Sequence, residues 1–186
     1  MSTGDAPMLQ RLIRRVEAAT RANRGAEQVQ AVLEDALRSS SDWLGAEYQQ
    51  LRGNDSATYP LYESDTGRFC VVSLVIREGV TLPVHDHGAW AVLGIYKGRV
   101  KETWYQRLDD GNTPGIARLA PERTFIHERG AAGVLPEGQI HTATALGSSP
   151  AVTIQIYGTT LDKQGRTRFE VEAKRAVPYE AHSIRL

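Results

Sequence analysis

The chain has 186 residues, of which 41% are hydrophobic and 24% charged, a composition typical of one globular domain with its own core. Its 22 basic residues balance its 22 acidic residues, which argues against general nucleic-acid binding, because such proteins usually carry a basic excess. The single cysteine, Cys70, excludes an intrachain disulfide and a cysteine-rich zinc site. No apolar run reaches the roughly 20 residues of a membrane span, and the first fifteen residues lack the apolar core of a signal peptide. We therefore expect a cytoplasmic protein with no nucleic-acid or membrane partner.

Two amphipathic helices are predicted in the first 57 residues. Asp5 can cap the first helix, and Pro7 suits its first turn. The second stretch places five apolar residues on one helical face: Val29, Val32, Leu33, Ala36 and Leu37. The serines at 39–41 indicate a stop. We expect residues 1–57 to pack on a larger body and to belong to the same domain as the rest of the chain.

From about Thr58 the pattern changes to short segments rich in Val, Ile, Tyr and Trp, separated by Gly, Pro and Asp turns. The predicted strands are 69–76, 90–96, 99–106, 133–136, 141–146, 152–158 and 168–175. Two tight hairpin turns are predicted, at Lys97-Gly98 and at 162–165. Because no helical crossover pattern separates the strands, we expect residues 58–186 to form an antiparallel sheet that is closed or sandwiched.

A histidine pair, His85 and His87, lies in one extended segment. Positions two apart in a strand point to the same face, so both imidazoles point one way and Asp86 points the other way. Two imidazoles on one face can occupy neighbouring positions on a metal ion. The pair alone is weak evidence, because many strands contain such a pair by chance.

Glycines and a proline surround the histidines at a spacing that resembles the two motifs of the cupin superfamily. The first motif matches at Gly79, His85, His87 and Gly98, and the second matches at Gly130, Pro136, Gly138 and His141. The resemblance covers roughly residues 58–175. It implies a mainly β fold, a double-stranded β-helix or jelly-roll barrel with the N-terminal helices packed on it. It also implies that the metal ligands are His85, His87 and His141.

Two departures from the cupin pattern bear on the chemistry. The glutamate that many cupins use as a fourth ligand would lie near Ala91 or Val92, and no carboxylate is present there. The asparagine that often ends the second motif is replaced by Ala145. Three neutral histidines would leave a divalent ion its full charge and about three open positions, which favours an anionic ligand such as a thiolate. Three imidazoles also suit Co, Ni, Cu or Zn.

The segment HDHGAWAVLGIYKGRVKETWY, which begins at His85, resembles the cysteine dioxygenase family of thiol dioxygenases, and so do the helices before the barrel. The resemblance implies Fe(II) as cofactor, with a small-molecule thiol and O2 as partners. In that family, Fe(II) binds the thiolate and dioxygen side by side, and both oxygen atoms go to sulfur, which gives a sulfinate. A monomer or a small homo-oligomer is expected.

The family also carries a Ser-x-His-x-Tyr relay near the iron, which matches Thr153, Gln155 and Tyr157. The three side chains share one strand face, and we expect them to be the catalytic residues. Gln155 can form hydrogen bonds but does not titrate near neutral pH. The cysteine that some members link to this tyrosine would lie near Val92. Because Cys70 lies on another predicted strand, we expect no crosslink and assign it to the core.

Two residues are predicted to contact substrate. Tyr59 fits a substrate-side tyrosine of the family, and Trp90, which lies three residues after His87, is a candidate for a wall of the site, with a core role as the alternative. The arginine that often binds a substrate carboxylate is replaced by Leu61 or Tyr62. Without it a carboxylate would bind less selectively, which leaves open a thiol other than cysteine or 3-mercaptopropionate.

Two further histidines, His127 and His182, are predicted to have surface or structural roles. Two other functions stay open at this point. The first is a metal-dependent cupin that acts on a non-thiol substrate, such as a different dioxygenase or an isomerase. The second is a non-catalytic binding module that keeps the barrel.

Overall fold

The computed structural model describes residues 6–22, 25–39 and 42–180. Four residues discussed above lie outside these ranges: Asp5, Ser40, Ser41 and His182. No helix in the described ranges is long and apolar enough to cross a membrane.

Two helices precede the sheets, α1 (Ala6–Arg21) and α2 (Gly25–Arg38). The five apolar residues that the sequence places on one face of α2 are all buried. An ion pair at i,i+4 spacing supports each helix on its exposed side, Glu17 with Arg21 and Glu34 with Arg38.

Eleven strands follow in the described part of the chain. They are β1 (Ser56–Glu63), β2 (Cys70–Ile76), β3 (Val84–His85), β4 (Ala91–Lys97), β5 (Arg99–Arg107), β6 (Leu119–Glu128), β7 (Ala132–Leu135), β8 (Ile140–Leu146), β9 (Ala151–Tyr157), β10 (Thr167–Glu170) and β11 (Arg175–Pro178). Their order is β1-β2-β9-β4-β7 in a five-stranded sheet and β11-β10-β3-β8-β5-β6 in a six-stranded sheet. All strand pairs are antiparallel. The predicted mainly β jelly-roll barrel with N-terminal helices is confirmed.

Three turn and strand predictions need correction. The turn at Lys97-Gly98 is tight, with a positive φ of 78° at Gly98, but β4 and β5 belong to different sheets, so it is not a hairpin turn. The turn at 162–165 likewise connects the two sheets, from β9 to β10. The single strand predicted at 168–175 is a hairpin of β10 and β11, because the chain reverses at 171–174.

The helices pack on the outer face of the five-stranded sheet. Gly94 in β4 permits the close approach of α2, because an added Cβ would lie 2.5 Å from Leu37 Cδ1 and 2.7 Å from Leu33 Cδ2. The side-chain amide of Gln30 donates to the carbonyl of Ala132 in β7 at 2.8 Å, which fixes the helix along the sheet.

Strand β9 is buried on both faces and so divides the core in two. Its apolar residues Val152, Ile154 and Ile156 belong to the cluster formed with the helices. The alternate residues point to the opposite face, between the two sheets. The polar side chains of β9 therefore line the interior of the barrel.

Candidate metal centre

The structure brings the three predicted ligand histidines together inside the barrel. His85 at the end of β3 pairs directly with His141 at the start of β8, and His87 follows two residues after His85. One candidate ligand atom from each residue lies within 4.8 Å of the others, and all three side chains are buried. The imidazole ring centroids lie 4.6, 4.8 and 5.3 Å apart. Asp86 points away, as predicted, and accepts a hydrogen bond from the backbone N–H of Thr167 at 2.7 Å.

The hydrogen bonds of these imidazoles fit a metal ion. His85 Nδ1 donates to the carbonyl of Pro83 at 2.8 Å, and because a carbonyl only accepts, Nε2 of His85 keeps its lone pair. His87 Nε2 lies 3.2 Å from His141 Nε2. Nitrogen ligands about 2.0–2.1 Å from a metal ion are separated from each other by about 3.0–3.4 Å. The donor set is therefore that of a divalent transition-metal ion held by three imidazoles.

Burial keeps two of these imidazoles in the neutral form that binds metal. Desolvation lowers the pKa of His85 and of His87 well below the ordinary value, and the neighbouring histidines and Arg166 lower both further. Neutral imidazoles need no deprotonation at neutral pH before they bind a cation.

A buried carboxylate, Glu102 in β5, supports His141 from outside the ligand set. Its Oε1 accepts hydrogen bonds from His141 Nδ1 at 2.9 Å and from Trp104 Nε1 at 3.0 Å, and its Oε2 accepts one from His127 Nε2 at 2.9 Å. Glu102 is not among the residues predicted from the sequence. The two-residue period of β5 could have identified it, because that period places this carboxylate on the same face as the buried Val100.

The three residues of β9 form the predicted relay. The Tyr157 phenol donates to Gln155 Oε1, Gln155 Nε2 donates to Thr153 Oγ1 at 3.1 Å, and Thr153 Oγ1 donates to the carbonyl of Leu74 at 3.3 Å. The ring centroid of Tyr157 lies 5.0 Å from that of His87. Burial raises the pKa of Tyr157 to about 12. The phenol is therefore protonated at neutral pH and lies next to a candidate ligand.

Cys70 is a buried residue of β2, as predicted, and it lies directly opposite Tyr157 on the neighbouring strand β9. Burial raises the pKa of its thiol to about 12, and Gln164 Nε2 lies 3.9 Å from its Sγ. The sequence placed Cys70 on another strand without showing that this strand adjoins β9. The absence of a crosslink to Tyr157 stays a prediction.

The histidines open into a cavity of about 590 Å³ between the two sheets, which Gln155 and Tyr157 also line. The segment between β9 and β10 supplies Gln164 and Arg166 to its wall. The Arg166 guanidinium carbon lies 5.1 Å from the ring centroid of Tyr179, and Arg166 Nε is buried without a hydrogen bond to any described residue. An arginine with no ion-pair partner among the described residues therefore lines the cavity. Spacing from the histidine motifs could not reveal it, because the segment between β9 and β10 lies outside both motifs.

The amide of Gln164 lies beside His87 and favours its protonated form. Neither His87 Nδ1 nor Gln164 Oε1, however, has a hydrogen bond of normal geometry within the described chain. Both atoms are buried.

The two predicted substrate contacts lie elsewhere. Tyr59 is fully buried in the cluster between the helices and the five-stranded sheet, and its hydroxyl donates to the carbonyl of Gln50 at 2.7 Å. Thr58 lines the cavity instead, because successive residues of β1 point to opposite faces. Trp90 packs against Gly158, where an added Cβ would lie 2.3 Å from the indole Nε1. Neither Tyr59 nor Trp90 lines the cavity that contains the histidines.

A scan against models of known protein families finds no match. Among solved structures, an oxalate oxidase in complex with the substrate analogue glycolate aligns with 20% identity and a TM-score of 0.49, over 69% of this chain and 65% of that chain. Oxalate decarboxylase from Bacillus subtilis aligns with 17% identity and a TM-score of 0.49, over 66% and 30%. A cupin superfamily protein from Desulfitobacterium hafniense aligns with 15% identity and a TM-score of 0.44, over 60% and 84%. This chain therefore spans less than two thirds of the length of the first two proteins.

Proposed function

We propose that this protein is an Fe(II)-dependent thiol dioxygenase that adds both atoms of O2 to the sulfur of a small-molecule thiol and yields a sulfinate. The observation that carries the proposal is the convergence of His85, His87 and His141 on a cavity large enough for a small substrate, with no carboxylate of the described residues in the ligand group. The reaction is balanced without an outside reductant, since sulfur loses four electrons, dioxygen gains them, and the thiol proton is released.

The three histidines would hold the ion through nitrogen atoms that face the cavity. When bound, Fe(II) would supply a Lewis acid that lowers the pKa of the substrate thiol and a redox centre that activates dioxygen. Because the three imidazoles are neutral ligands, they would leave the positive charge of the ion uncompensated. That charge favours a thiolate over a neutral thiol.

Tyr157 would orient the substrate without exchanging a proton. Its O–H is directed to Gln155, so the free lone pair of the phenol oxygen can accept a hydrogen bond from a ligand in the cavity. Gln155 donates in turn to Thr153, and a side-chain amide does not titrate near neutral pH. The relay thus holds the phenol in position and takes up no proton.

Arg166 would bind an anionic group of the thiol, such as a carboxylate. Its Nε is buried, unpaired within the described residues and stacked on Tyr179, and an unpaired guanidinium in a cavity is a strong site for a carboxylate. The sequence has no arginine at the position that the family uses. The segment before β10 supplies a positive charge to the cavity instead.

The proposal is tested by anaerobic reconstitution with Fe(II), followed by an oxygen-electrode screen over small thiols with and without a carboxylate. We expect thiol-dependent oxygen uptake and a product that has gained two oxygen atoms by mass spectrometry. The variant His87→Ala should lose both the bound iron and the thiol-dependent oxygen uptake.

Two results would favour the other functions. Bound Zn or Ni, with no sulfinate from any thiol, would indicate a metal cupin with a non-thiol substrate. Metal-free protein that binds small ligands as tightly as metal-loaded protein would indicate a binding module.

A further inference from the structure

Glu102 is a buried carboxylate whose neighbours on the inner face of the six-stranded sheet, Val100 in β5 and Ala143 opposite it in β8, are apolar. It is 4% exposed and lies on the inner face of β5. Burial of an unpaired carboxylate is costly, and an apolar residue of similar volume would fill the same space. Here three N–H groups donate to it, from His141, Trp104 and His127, all at 2.9 to 3.0 Å.

The hydrogen bonds of Glu102 determine which nitrogen of His141 carries the hydrogen. Trp104 Nε1 can only donate, so Glu102 Oε1 is an acceptor. His141 Nδ1 lies 2.9 Å from the same oxygen and is therefore the donor. Its Nε2 then carries the lone pair and faces His87 Nε2 at 3.2 Å.

We propose that Glu102 is a positioning residue of the metal centre, which fixes the tautomer and the ring orientation of His141, and that His127 acts through Glu102 by holding the carboxylate in place. The inference rests on the metal site of the proposed function and not on the identity of its substrate. Carboxylates that accept a hydrogen bond from a ligand imidazole orient the ring and make it a stronger donor.

His127 forms the outer end of this arrangement. Its side chain is 22% exposed on β6, and its ring stacks on Phe125 at a centroid distance of 6.0 Å and an interplanar angle of 27°. His127→Phe would keep a ring of similar size in this stack and remove the donor to Glu102 Oε2. Because the residue is partly exposed, we expect the variant to fold.

The experiment measures Co(II) affinity by competition with a chelating indicator, and the visible absorption bands of bound Co(II) report the geometry of the ligands. Glu102→Gln should weaken Co(II) binding at least about tenfold, within the range of about 10–100-fold usual for such partners, and should shift the bands. His127→Phe should cause a smaller loss of the same kind. Glu128→Gln, which changes an exposed carboxylate paired with Arg99 on the surface, should leave affinity and bands unchanged.

The double variant Glu102→Gln/His127→Phe distinguishes positioning from general support of the sheet. If His127 acts through Glu102, the double variant should bind Co(II) as weakly as Glu102→Gln alone, because the two effects do not add. Additive losses would overturn the assignment of His127. Melting curves of the metal-free variants show whether each is folded.

The inference is overturned if folded Glu102→Gln binds Co(II) within twofold of the unchanged protein and with the same bands. Should Glu102→Gln not fold, unchanged affinity and bands in His127→Phe overturn it. This experiment tests the role of Glu102 separately from the thiol chemistry. If Co(II) binding depends on Glu102 but the protein forms no sulfinate, the inference is supported and the proposed function is contradicted. An unchanged protein that binds no Co(II) contradicts both.

Discussion

His87 Nε2 and His141 Nε2 lie 3.2 Å apart in the interior of the barrel. Two unprotonated imidazole nitrogens at this distance repel each other unless a proton or a cation lies between them. Glu102 accepts a hydrogen bond from His141 Nδ1, on the opposite side of the ring. A cation that both Nε2 atoms face would take the place of the proton that otherwise has to lie between them.

Metal binding should raise the melting temperature of this protein. A divalent metal at about 100 times its dissociation constant stabilises the folded state by about 2.7 kcal/mol, which corresponds to about 5–10 °C for a chain of this size. We expect this shift with Fe(II) under anaerobic conditions and its loss in His87→Ala. His182→Ala, which changes a histidine with no predicted site role, should keep the shift. A full shift in His87→Ala would contradict the assignment of the ligands.

Removal of the Arg166 charge should affect substrates that carry a carboxylate. Arg166→Met keeps the length of the side chain and removes the guanidinium. Loss of a hydrogen-bonded charge pair costs about 1.5–3 kcal/mol, so kcat/KM for a carboxylate-bearing thiol should fall about 10–100-fold. A neutral thiol should be oxidised as before. Arg175→Met, at an exposed arginine paired with Glu170, is the matched control, and equal losses for both thiols in Arg166→Met would contradict the anion site.

The Tyr157 hydroxyl should matter for turnover and not for metal binding. Tyr157→Phe removes the phenol oxygen, keeps the ring beside His87, and leaves Gln155 without its donor. We expect kcat to fall about tenfold or more, since a misplacement of the substrate by about 1 Å can cost about 100-fold in rate. Iron content, measured by atomic absorption, should not change. Normal turnover in Tyr157→Phe would exclude a role for the relay.

Gly88 should control the position of the segment that bears Gln164 and Arg166. A Cβ at Gly88 would lie 2.6 Å from the carbonyl oxygen and 2.9 Å from the nitrogen of Gly165, so the backbone of that segment would have to move. We expect Gly88→Ala to raise KM for a carboxylate-bearing thiol severalfold while iron is retained. Gly165→Ala is the control, because its Cβ would meet no atom within 4 Å. Equal KM values in the two variants would show that the contact does not position the segment.

The Cys70 thiol should be unreactive in the folded protein. Burial raises its pKa to about 12, so only about one thiol in ten thousand would be ionised at pH 8, and the thiolate is the reactive form. We expect a disulfide reagent such as dithionitrobenzoate to label folded protein slowly. Protein unfolded in guanidinium chloride should be labelled at once at one site per chain, since Cys70 is the single cysteine. Rapid labelling of the folded form would mean that Cys70 is accessible.

Strand alternation and turn residues, which are local signals, predicted an antiparallel sheet that is closed or sandwiched. The resemblance to the cupin motifs implied the jelly-roll barrel and the three ligand histidines, and the structure pairs His85 directly with His141. The two-residue period of side chains in a β-strand was sufficient to place Thr153, Gln155 and Tyr157 on one face of β9.

The site residues that were not predicted from the sequence are placed by contacts between distant segments of the chain. Glu102 faces His141 only because β5 and β8 pair in one particular register. Arg166 reaches the cavity because its segment crosses from one sheet to the other and passes close to Gly88. Tyr59 was placed on the wrong side of β1 by a single residue, since Thr58 lines the cavity and the next residue faces the helices.

If three histidines hold an iron ion that directs both atoms of dioxygen to sulfur, both sulfinate oxygens come from O2. This is measured by turnover of the Fe(II)-loaded protein with a carboxylate-bearing thiol under ¹⁸O₂, followed by mass spectrometry of the product. We expect a sulfinate that contains two ¹⁸O atoms and that does not form with His87→Ala. A disulfide without ¹⁸O as the main product, or equal sulfinate from His87→Ala, would contradict it.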